Sequence, residues 1–291
     1  MPEHKGSTSA GTEEPGILQA DRFQSRRMLM TNASRGAGGF VGMGLRPGDA
    51  VAILMRNDIA FLEASLAAIE MGAHAVPINW HAKPQEIGYI LKDSGARALV
   101  AHSDLLAPLG AEHVSGIEVL SVRTPPELLG PYRIDADKAM PDIAARDWHL
   151  WLQEQPEHRS DAPKFIQSML YTSGTTGVPK GVRRFAPTAE QKLLMQETRR
   201  SVYGVTPHVR LMIPGPLYHG APNGIAISAA TVADLLLLMP RFEPEQLLAE
   251  IERHRIDCVF MVPTMFVRLL GLPAEVRSKY DLSSLRFVLH G

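Results

Sequence analysis

The sequence predicts an α/β fold in which parallel strands are flanked by helices. Short apolar runs alternate with segments of helical spacing between residues 50 and 101, and the same alternation returns between residues 209 and 291. Strand–helix–strand order at this spacing is typical of a doubly wound parallel sheet. The chain has 291 residues, of which 45% are hydrophobic, and this is ample for one large domain or two ordinary ones.

The beginning of the chain is predicted to contain little regular structure. Residues 1–20 are rich in Gly, Ser, Thr and Glu and lack an apolar signal segment, so we expect a disordered tail. Residues 21–45 show patchy helical spacing, but each glycine weakens a helix by up to ~1 kcal/mol relative to alanine. The glycines of this stretch are Gly36, Gly38, Gly39, Gly42 and Gly44. We therefore expect a poor helix. Their spacing does not match a dinucleotide-binding fingerprint, and no predicted strand precedes them.

Clear local signals begin at residue 50. Strands are expected over residues 50–55, 73–77 and 97–101, and helices over residues 59–71 and 85–92. Asn57 or Asp58 is placed to cap the first helix, which Gly72 ends, and Gly95 ends the second. Residues 108–164 are rich in proline and charge, and we expect a loosely packed connection with one short helix there.

The stretch Tyr-Thr-Ser-Gly-Thr-Thr-Gly-Val-Pro-Lys-Gly at residues 171–181 has the chemistry of a phosphate-binding loop. Its glycines let backbone N–H groups converge on an anion, its hydroxyls add donors, and Lys180 adds a mobile charge. The apolar segment 165–171 is expected to be a strand that leads into this loop. A solvated linker would need neither that strand nor the Pro-Lys-Gly ending. A P-loop is excluded because Lys180 precedes Gly181 rather than Ser or Thr.

The second half of the chain alternates strands and helices again. Strands are expected over residues 209–213, 235–239, 257–262 and 285–291, and helices over residues 188–201, 242–253 and 263–270. Three prolines and two glycines make residues 214–222 an irregular loop. Tyr218 and His219 in this loop are candidates to line a cavity, with an ordinary surface role as the alternative for His219.

Charge and cysteine content limit the classes of function. Lys and Arg number 30 against 31 Asp and Glu, so the net charge is −1 and no basic field attracts nucleic acid or anionic lipid. The single cysteine, Cys258, lies in an apolar run, which excludes an internal disulfide and suits a reducing compartment. No apolar segment reaches the ~20 residues needed to span a bilayer, so we expect a cytoplasmic protein.

Residues 173–181, Ser-Gly-Thr-Thr-Gly-Val-Pro-Lys-Gly, resemble the signature loop of the adenylate-forming superfamily, which includes acyl-CoA synthetases, luciferases and peptide-synthetase adenylation domains. Pro-Leu-Tyr-His at residues 216–219 and Met-Val-Pro-Thr-Met-Phe at residues 261–266 resemble segments that border the acyl site in that family. The resemblance implies that the ATP phosphates are bound by Thr172, Ser173, Gly174, Thr175, Thr176, Gly177 and Lys180. It also implies an acyl-substrate pocket bordered by Tyr218, His219, Val262, Pro263, Thr264 and Gly291. Met265 and Phe266 are expected to be ordinary core residues.

By this resemblance, the chain is an AMP-forming acyl-CoA synthetase. A hydrophobic carboxylic acid reacts with ATP to give acyl-AMP, and coenzyme A then displaces AMP; ATP, Mg²⁺ and CoA are the implied cofactors. The resemblance assigns residues 21–291 to an N-terminal adenylation-domain core. We expect a fragment that is incomplete at the C-terminus, without the small lid domain, because the family's adenine, ribose and metal motifs and its catalytic lysine would follow Gly291. No catalytic residue or metal ligand is assigned, and residues 1–291 alone are expected to form no acyl-CoA. The family's early β-hairpin is not recognisable in the sequence.

Two alternatives stay open at this stage. One is a truncated binding module that retains the α/β core without turnover, and the other is an adenylation domain of the peptide-synthetase type. The second would be expected to show an Asp that pairs with the amino group of the substrate, and the sequence does not place one. Continuation of the coding sequence past Gly291 would argue against the first.

Overall fold

The computed structural model describes residues 14–140, 145–158, 168–172, 179–183 and 187–291. The strands are β1 (Gly16–Gln19), β2 (Arg22–Ser25), β3 (Ala50–Leu54), β4 (His74–Pro77), β5 (Ala96–His102), β6 (Glu118–Val122), β7 (Arg146–Asp147), β8 (Leu170–Thr172), β9 (Lys180–Val182), β10 (Arg210–Ile213), β11 (Leu235–Leu238), β12 (Cys258–Met261) and β13 (Phe287–His290). The helices are α1 (Arg26–Gly42), α2 (Ile59–Met71), α3 (Pro84–Ser94), α4 (Ser103–Leu106), α5 (Pro126–Tyr132), α6 (Trp148–Glu154), α7 (Ala189–Ser201), α8 (Gly220–Val232), α9 (Pro244–His254), α10 (Pro263–Leu270) and α11 (Ala274–Arg277). These elements confirm the predicted α/β class.

A five-stranded parallel sheet has the order β4-β3-β5-β6-β7. Its strand β3 is the apolar run Ala-Val-Ala-Ile-Leu and is buried along its whole length, as expected for a strand covered on both faces. The next helix, α2, begins at Asp58, whose carboxylate accepts the N–H of Ala60. It ends at Gly72, which has a φ of 89° that favours glycine.

The described part of residues 108–164 contributes two strands, β6 and β7, to this sheet, so the loose connection expected there is wrong. β6 pairs in parallel with β5, and α6 places Trp148 and Trp151 in the core. The Trp148 and Trp151 rings lie 6.1 and 5.7 Å from the ring of Phe40 in α1. Composition did not reveal this packing because its partner residues are distant in the sequence.

A six-stranded sheet has the order β13-β12-β10-β11-β1-β2, in which only β2 runs antiparallel to its neighbour. Strand β1 pairs with β11, so Gly16 lies opposite Leu235, and Ile17 is fully buried. The predicted tail over residues 1–20 is therefore wrong for Gly16–Gln19, while residues 1–13 lie outside the described residues. The β1–β2 hairpin also corrects the expectation that no early hairpin is present.

Helix α1 is long and buries one face, so the expectation of a poor helix is also wrong. Two of its glycines allow close packing. A Cβ atom on Gly36 would lie 2.9 Å from the Cβ of Ala67 in α2, and one on Gly39 would collide with the ring of Trp151. The local cost of glycine in the helix is therefore offset by close contact between α1, α2 and α6.

The largest hydrophobic cluster joins the two sheets. It contains Val51 of β3 and Leu211 of β10, together with the inner faces of α2 and α8. The two sheets are consequently held against shared helices, and the loops at the carboxyl ends of β3 and β10 come together. None of the helices in the described ranges is long and apolar enough to cross a membrane.

Candidate active site

Strands β8 and β9 form a two-stranded antiparallel hairpin, which we name the phosphate hairpin. Thr172 pairs with Lys180 at the end of the hairpin where the glycine-rich loop connects the two strands, and the side chain of Lys180 is exposed. Ser173, Gly174, Thr175, Thr176 and Gly177 lie outside the described residues, as does the side chain of Thr172. Within the described part of the predicted strand over residues 165–171, β8 begins at Leu170, while residues 165–167 lie outside the described residues. β8 pairs with β9 in this hairpin rather than with a strand of either larger sheet.

The end of helix α3 anchors one side of the phosphate hairpin. The hydroxyl of Tyr171 donates to Asp93 Oδ2 at 2.6 Å, and Arg183 donates to the backbone oxygen of Ser94 at 3.1 Å, both at the end of α3. Burial and the adjacent Asp93 raise the pKa of Tyr171, so the phenol keeps its proton and remains a donor. A Cβ atom on Gly181 would lie 2.7 Å from the Tyr171 ring, which explains why glycine follows the lysine.

The other side of the phosphate hairpin contacts the start of α8. A Cβ atom on Gly220 would lie 2.8 Å from Cδ1 of Leu170, and the Ser168 hydroxyl donates to Asn223 Oδ1 at 2.9 Å. Residues 214–219, which we name the proline loop, lie immediately before α8 and carry Tyr218 and His219. The chain thus brings the phosphate hairpin against the helix that directly follows the proline loop.

The proline loop presents two rings side by side. The rings of Tyr218 and His219 have centroids 4.3 Å apart and an interplanar angle of 46°. Burial raises the pKa of Tyr218 and lowers the pKa of His219 from its ordinary value of 6.5. Both side chains are therefore neutral at pH 7, which suits a wall for an apolar group better than an anion-binding site.

The remaining predicted acyl-site residues lie at the same edge of the six-stranded sheet. Because β10, β12 and β13 are parallel, their carboxyl ends meet there, and Met261 lies opposite His290. Val262 is half-buried, Pro263 and Thr264 are exposed at the start of α10, and Gly291 follows β13. Met265 is buried in the adjoining core, in agreement with the core role expected for it.

A cleft that the sequence analysis missed opens between the two sheets. Its volume is about 480 Å³, and the proline loop and Met265 form one wall. The rim of the cleft carries three arginines and three aromatic rings: Arg133, Arg241, Arg268, Trp80, His81 and Tyr132. These residues come from four separate segments with no common spacing, so no local sequence signal identifies them. We name this feature the arginine cleft.

A buried arginine supports the aromatic rim of the arginine cleft. The Arg56 guanidinium lies 5.0 Å from the centre of the Trp80 ring and 4.8 Å from that of Tyr132, and it pairs with Asp104 at 2.9 Å. Burial, with a smaller contribution from the Arg56 charge, lowers the pKa of His81. Tyr132 donates to the backbone oxygen of Pro240 at 2.9 Å, so the rim is fixed to the six-stranded sheet.

A match to a known protein family agrees with the arrangement described above. A family model described as AMP-binding enzyme matches residues 11–291. The chain belongs to the AMP-binding enzyme family. This is the adenylate-forming group expected from the motif at residues 173–181, and its CoA-ligase members use ATP and CoA.

Relatives of this AMP-binding enzyme chain are CoA ligases of several kinds. It is 30% identical over 270 residues to 4-coumarate--CoA ligase 3 of Arabidopsis thaliana, covering 88% of this chain and 44% of the relative. It is 30% identical over 269 residues to feruloyl-CoA synthase of Amycolatopsis sp, covering 90% and 48%. The chain therefore spans about half the length of the curated relatives it matches.

Solved structures show the same AMP-binding enzyme fold. The amide bond synthetase McbA from Marinactinospora thermotolerans matches with a TM-score of 0.74 at 28% identity, covering 96% of this chain and 51% of McbA. The anthranilate CoA ligase AuaEII in complex with anthranoyl-AMP matches with a TM-score of 0.79 at 24% identity, covering 97% and 53%. The second likeness bears on the fold alone.

Proposed function

We propose that this protein is an AMP-forming acyl-CoA ligase that activates a hydrophobic carboxylic acid. A carboxylate oxygen attacks the α-phosphorus of ATP, the bond to the β-phosphate oxygen breaks, and pyrophosphate leaves. The thiol of CoA then attacks the acyl carbon of acyl-AMP, AMP leaves, and the thiol proton passes to solvent. The observation that carries this proposal is the contact between the phosphate hairpin and the start of α8, directly after the proline loop, through Leu170 and Gly220.

The phosphate hairpin supplies the positive charge for the first step. Lys180 and the loop residues Thr172, Ser173, Gly174, Thr175, Thr176 and Gly177 are proposed to hold the β- and γ-phosphates. Charge-assisted contacts of this kind neutralise the leaving pyrophosphate, and fixed positioning lowers the entropic part of the barrier. This chain's contribution is therefore to bind and orient ATP.

The acyl pocket is proposed to be walled by residues from three segments. Tyr218 and His219 come from the proline loop, Val262, Pro263 and Thr264 from the start of α10, and Gly291 from the end of β13. Neutral rings and apolar side chains favour a hydrophobic acid, because a charged substrate tail would lose hydration there without a partner. The named relatives act on 4-coumarate and ferulate, and these acids enter the test panel.

The arginine cleft supports coenzyme A as the acyl acceptor. CoA carries several phosphate charges and an adenine ring, which match the guanidinium groups of Arg133, Arg241 and Arg268 and the neighbouring aromatic rings. Its wall is shared with the proline loop, so a thiol arm could reach from this cleft to the acyl group. An amine acceptor is the second candidate, favoured by the structural match to an amide bond synthetase.

Mg²⁺ is proposed to arrive with ATP. Among the residues that the structure describes, no three His, Cys, Asp or Glu side chains come together as a metal-binding group. Mg²⁺ is usually held by substrate phosphates and one or two carboxylates rather than by a dedicated cage. When bound, it neutralises phosphate charge, and we derive no step through it from these residues.

The test is hydroxamate trapping of acyl-AMP with coumaric, ferulic, benzoic and medium-chain acids, using the protein expressed from its complete coding sequence. Lys180→Ala should slow pyrophosphate release roughly ten- to a hundred-fold, the value of one charge-assisted phosphate contact. The matched control is Lys279→Ala, which removes an exposed lysine beside Glu245. An unchanged rate for Lys180→Ala would remove this residue from the mechanism.

The acceptor is tested separately. Arg241→Gln and Arg268→Gln should each raise the KM for CoA without changing the KM for ATP in acyl-CoA formation. Acyl transfer to an added amine at a rate that exceeds transfer to CoA would favour the amide-forming alternative. ATP binding without any hydroxamate product would instead indicate the non-catalytic binding module.

A further inference from the structure

The proline loop has buried backbone groups that regular secondary structure does not satisfy. Leu217 lies in its centre, 1% exposed, directly before Tyr218 and His219. The N–H of Leu217 donates to Asn57 Oδ1 at 2.8 Å, and its carbonyl oxygen accepts from Asn223 Nδ2 at 3.0 Å. Two asparagine side chains therefore hold both polar groups of one buried residue, where an unpaired group would be costly. We name Asn57 and Asn223 the asparagine clamp.

The first member of the clamp joins the two sheets. Asn57 follows β3 in the five-stranded sheet, yet its Nδ2 donates to the carbonyl oxygens of Gly215 at 2.9 Å and Met239 at 3.0 Å, beyond β10 and β11. Its side chain is buried with two acceptors and one donor around it, a set that an amide matches. An aspartate there would face two carbonyl oxygens without a proton to donate.

The second member of the clamp reaches the phosphate hairpin. Asn223 lies in the first turns of α8 and is 2% exposed. While its Nδ2 holds Leu217, its Oδ1 accepts the hydroxyl of Ser168, two residues before β8, at 2.9 Å. A continuous chain of hydrogen bonds thus runs from Asn57 through Leu217 and Asn223 to Ser168.

We propose that Asn57 and Asn223 are positioning residues that set the proline loop against the phosphate hairpin, so that the acid and the ATP phosphates are held in a fixed relative position. The proposal rests on the proposed function for the identity of the two substrates. Neither asparagine needs to touch a reacting atom. Loosening one end of the chain of hydrogen bonds should therefore disturb the segment at the other end.

Hydrogen exchange tests this link without any assumption about activity. Asn57→Ala should speed amide exchange in peptides that cover residues 214–219, and also in peptides that cover the hairpin base at residues 168–172 and 179–183. Asn32→Ala is the matched control, because it removes a 2.7 Å bond from a half-buried asparagine to Glu63 in another part of the molecule. Faster exchange in the proline loop alone, with the hairpin unchanged, would overturn the coupling. If Asn57→Ala does not fold, Ser168→Ala approaches the same link from the hairpin end and should speed exchange in residues 214–219.

Kinetics then test the positioning role in the protein expressed from its complete coding sequence. Asn57→Ala removes three side-chain hydrogen bonds and Ser168→Ala removes one. Each should raise the KM for the acid and for ATP about five- to ten-fold, the worth of roughly one neutral hydrogen bond for each substrate. The double variant should be no worse than the poorer single variant, because both changes break one chain of contacts. If the effects of the two single changes multiply in the double variant, the proposal is contradicted. A fall in kcat with both KM values unchanged would contradict it as well. Absence of hydroxamate product in the unaltered protein would refute the proposed function, while the exchange result would still decide the structural link.

Discussion

Asp58 is the buried charge on which we expect the stability of this protein to depend most visibly. Its side chain is 1% exposed, and it contacts Arg22 of β2 at 2.6 Å and His102 of β5 at 2.9 Å. The N–H of Arg56 donates to His102 Nδ1, so the proton of the ring lies on Nε2 and points to Asp58. Burial alone would raise the pKa of Asp58, but the bond to His102 and the charge of Arg22 outweigh it and hold the pKa well below its usual range.

Asp58→Asn changes this site with almost no change in volume. Each carboxylate oxygen now accepts from a donor, so an amide places an N–H group against either Arg22 or His102. Breaking a buried ion pair costs about 3–5 kcal/mol. We expect Asp58→Asn to lower the free energy of unfolding by about 3 kcal/mol, the low end of this range. The Arg22 side chain is 37% exposed and keeps its 2.9 Å contact with Glu127, so its charge is not left buried and unpaired.

Urea unfolding at pH 7, followed by circular dichroism and tryptophan fluorescence, measures this loss. With a slope of about 3 kcal/mol per molar, the midpoint should fall by about 1 M at an unchanged slope. Asp281→Asn is the matched control, since Asp281 is exposed and its 2.7 Å pair with Arg255 is open to solvent, and we expect little change.

The stability that Asp58 contributes should depend on pH in a defined direction. Asp58 has a lowered pKa in the folded protein, so its contribution is complete above its unfolded pKa near 3.8 and is lost as the pH falls below that value. The difference between the two proteins should therefore shrink in acid. A loss below about 1 kcal/mol at pH 7, or a difference that grows as the pH falls, would refute the reasoning.

Three further outcomes are expected. Gly39→Ala should lower the melting temperature by several degrees, because overpacking against Trp151 costs about 1–3 kcal/mol. Gly42→Ala is the control and should leave the melting temperature unchanged, because a Cβ atom there meets open space. Equal melting temperatures for the two variants would contradict the packing account. Burial raises the pKa of Cys258 to about 12, so a disulfide reagent at pH 8 should modify the folded protein only slowly, and rapid modification without denaturant would count against this. Burial lowers the pKa of His219, so NMR titration, assigned with His219→Gln, should show a midpoint below 6.5 rather than above it.

Local patterns predicted one part of the molecule well. The alternation β3-α2-β4-α3-β5 was expected in nearly its observed bounds, including the Asp58 cap and the glycines that end α2 and α3. Each of these signals acts within a few residues of its own position, because caps, turns and apolar periods stabilise the backbone locally. The glycine-rich motif is equally local, and it was sufficient to indicate the family.

Longer-range contacts account for the errors. The pairing of β1 with β11 and the packing of α1 glycines on Ala67 and Trp151 join residues far apart in the chain. Composition suggested a tail and a poor helix at these positions because the stabilising partners are invisible in a local window. The misplacement of the 165–171 strand has a similar cause, since β8 is defined by its pairing with β9.

The sequence by itself determined the α/β class, the central strand and helix pattern, and the identity of the phosphate-binding and acyl-site segments as candidates. The tertiary structure alone brings Leu170 of the phosphate hairpin against Gly220 of α8, lets Asn57 and Asn223 hold the proline loop, and gathers dispersed arginines around one cleft. The physical reason is that a buried polar group or an ion pair acquires its partner only when the two sheets come together. Its favourable energy therefore exists in the folded state and leaves no periodic trace along the chain.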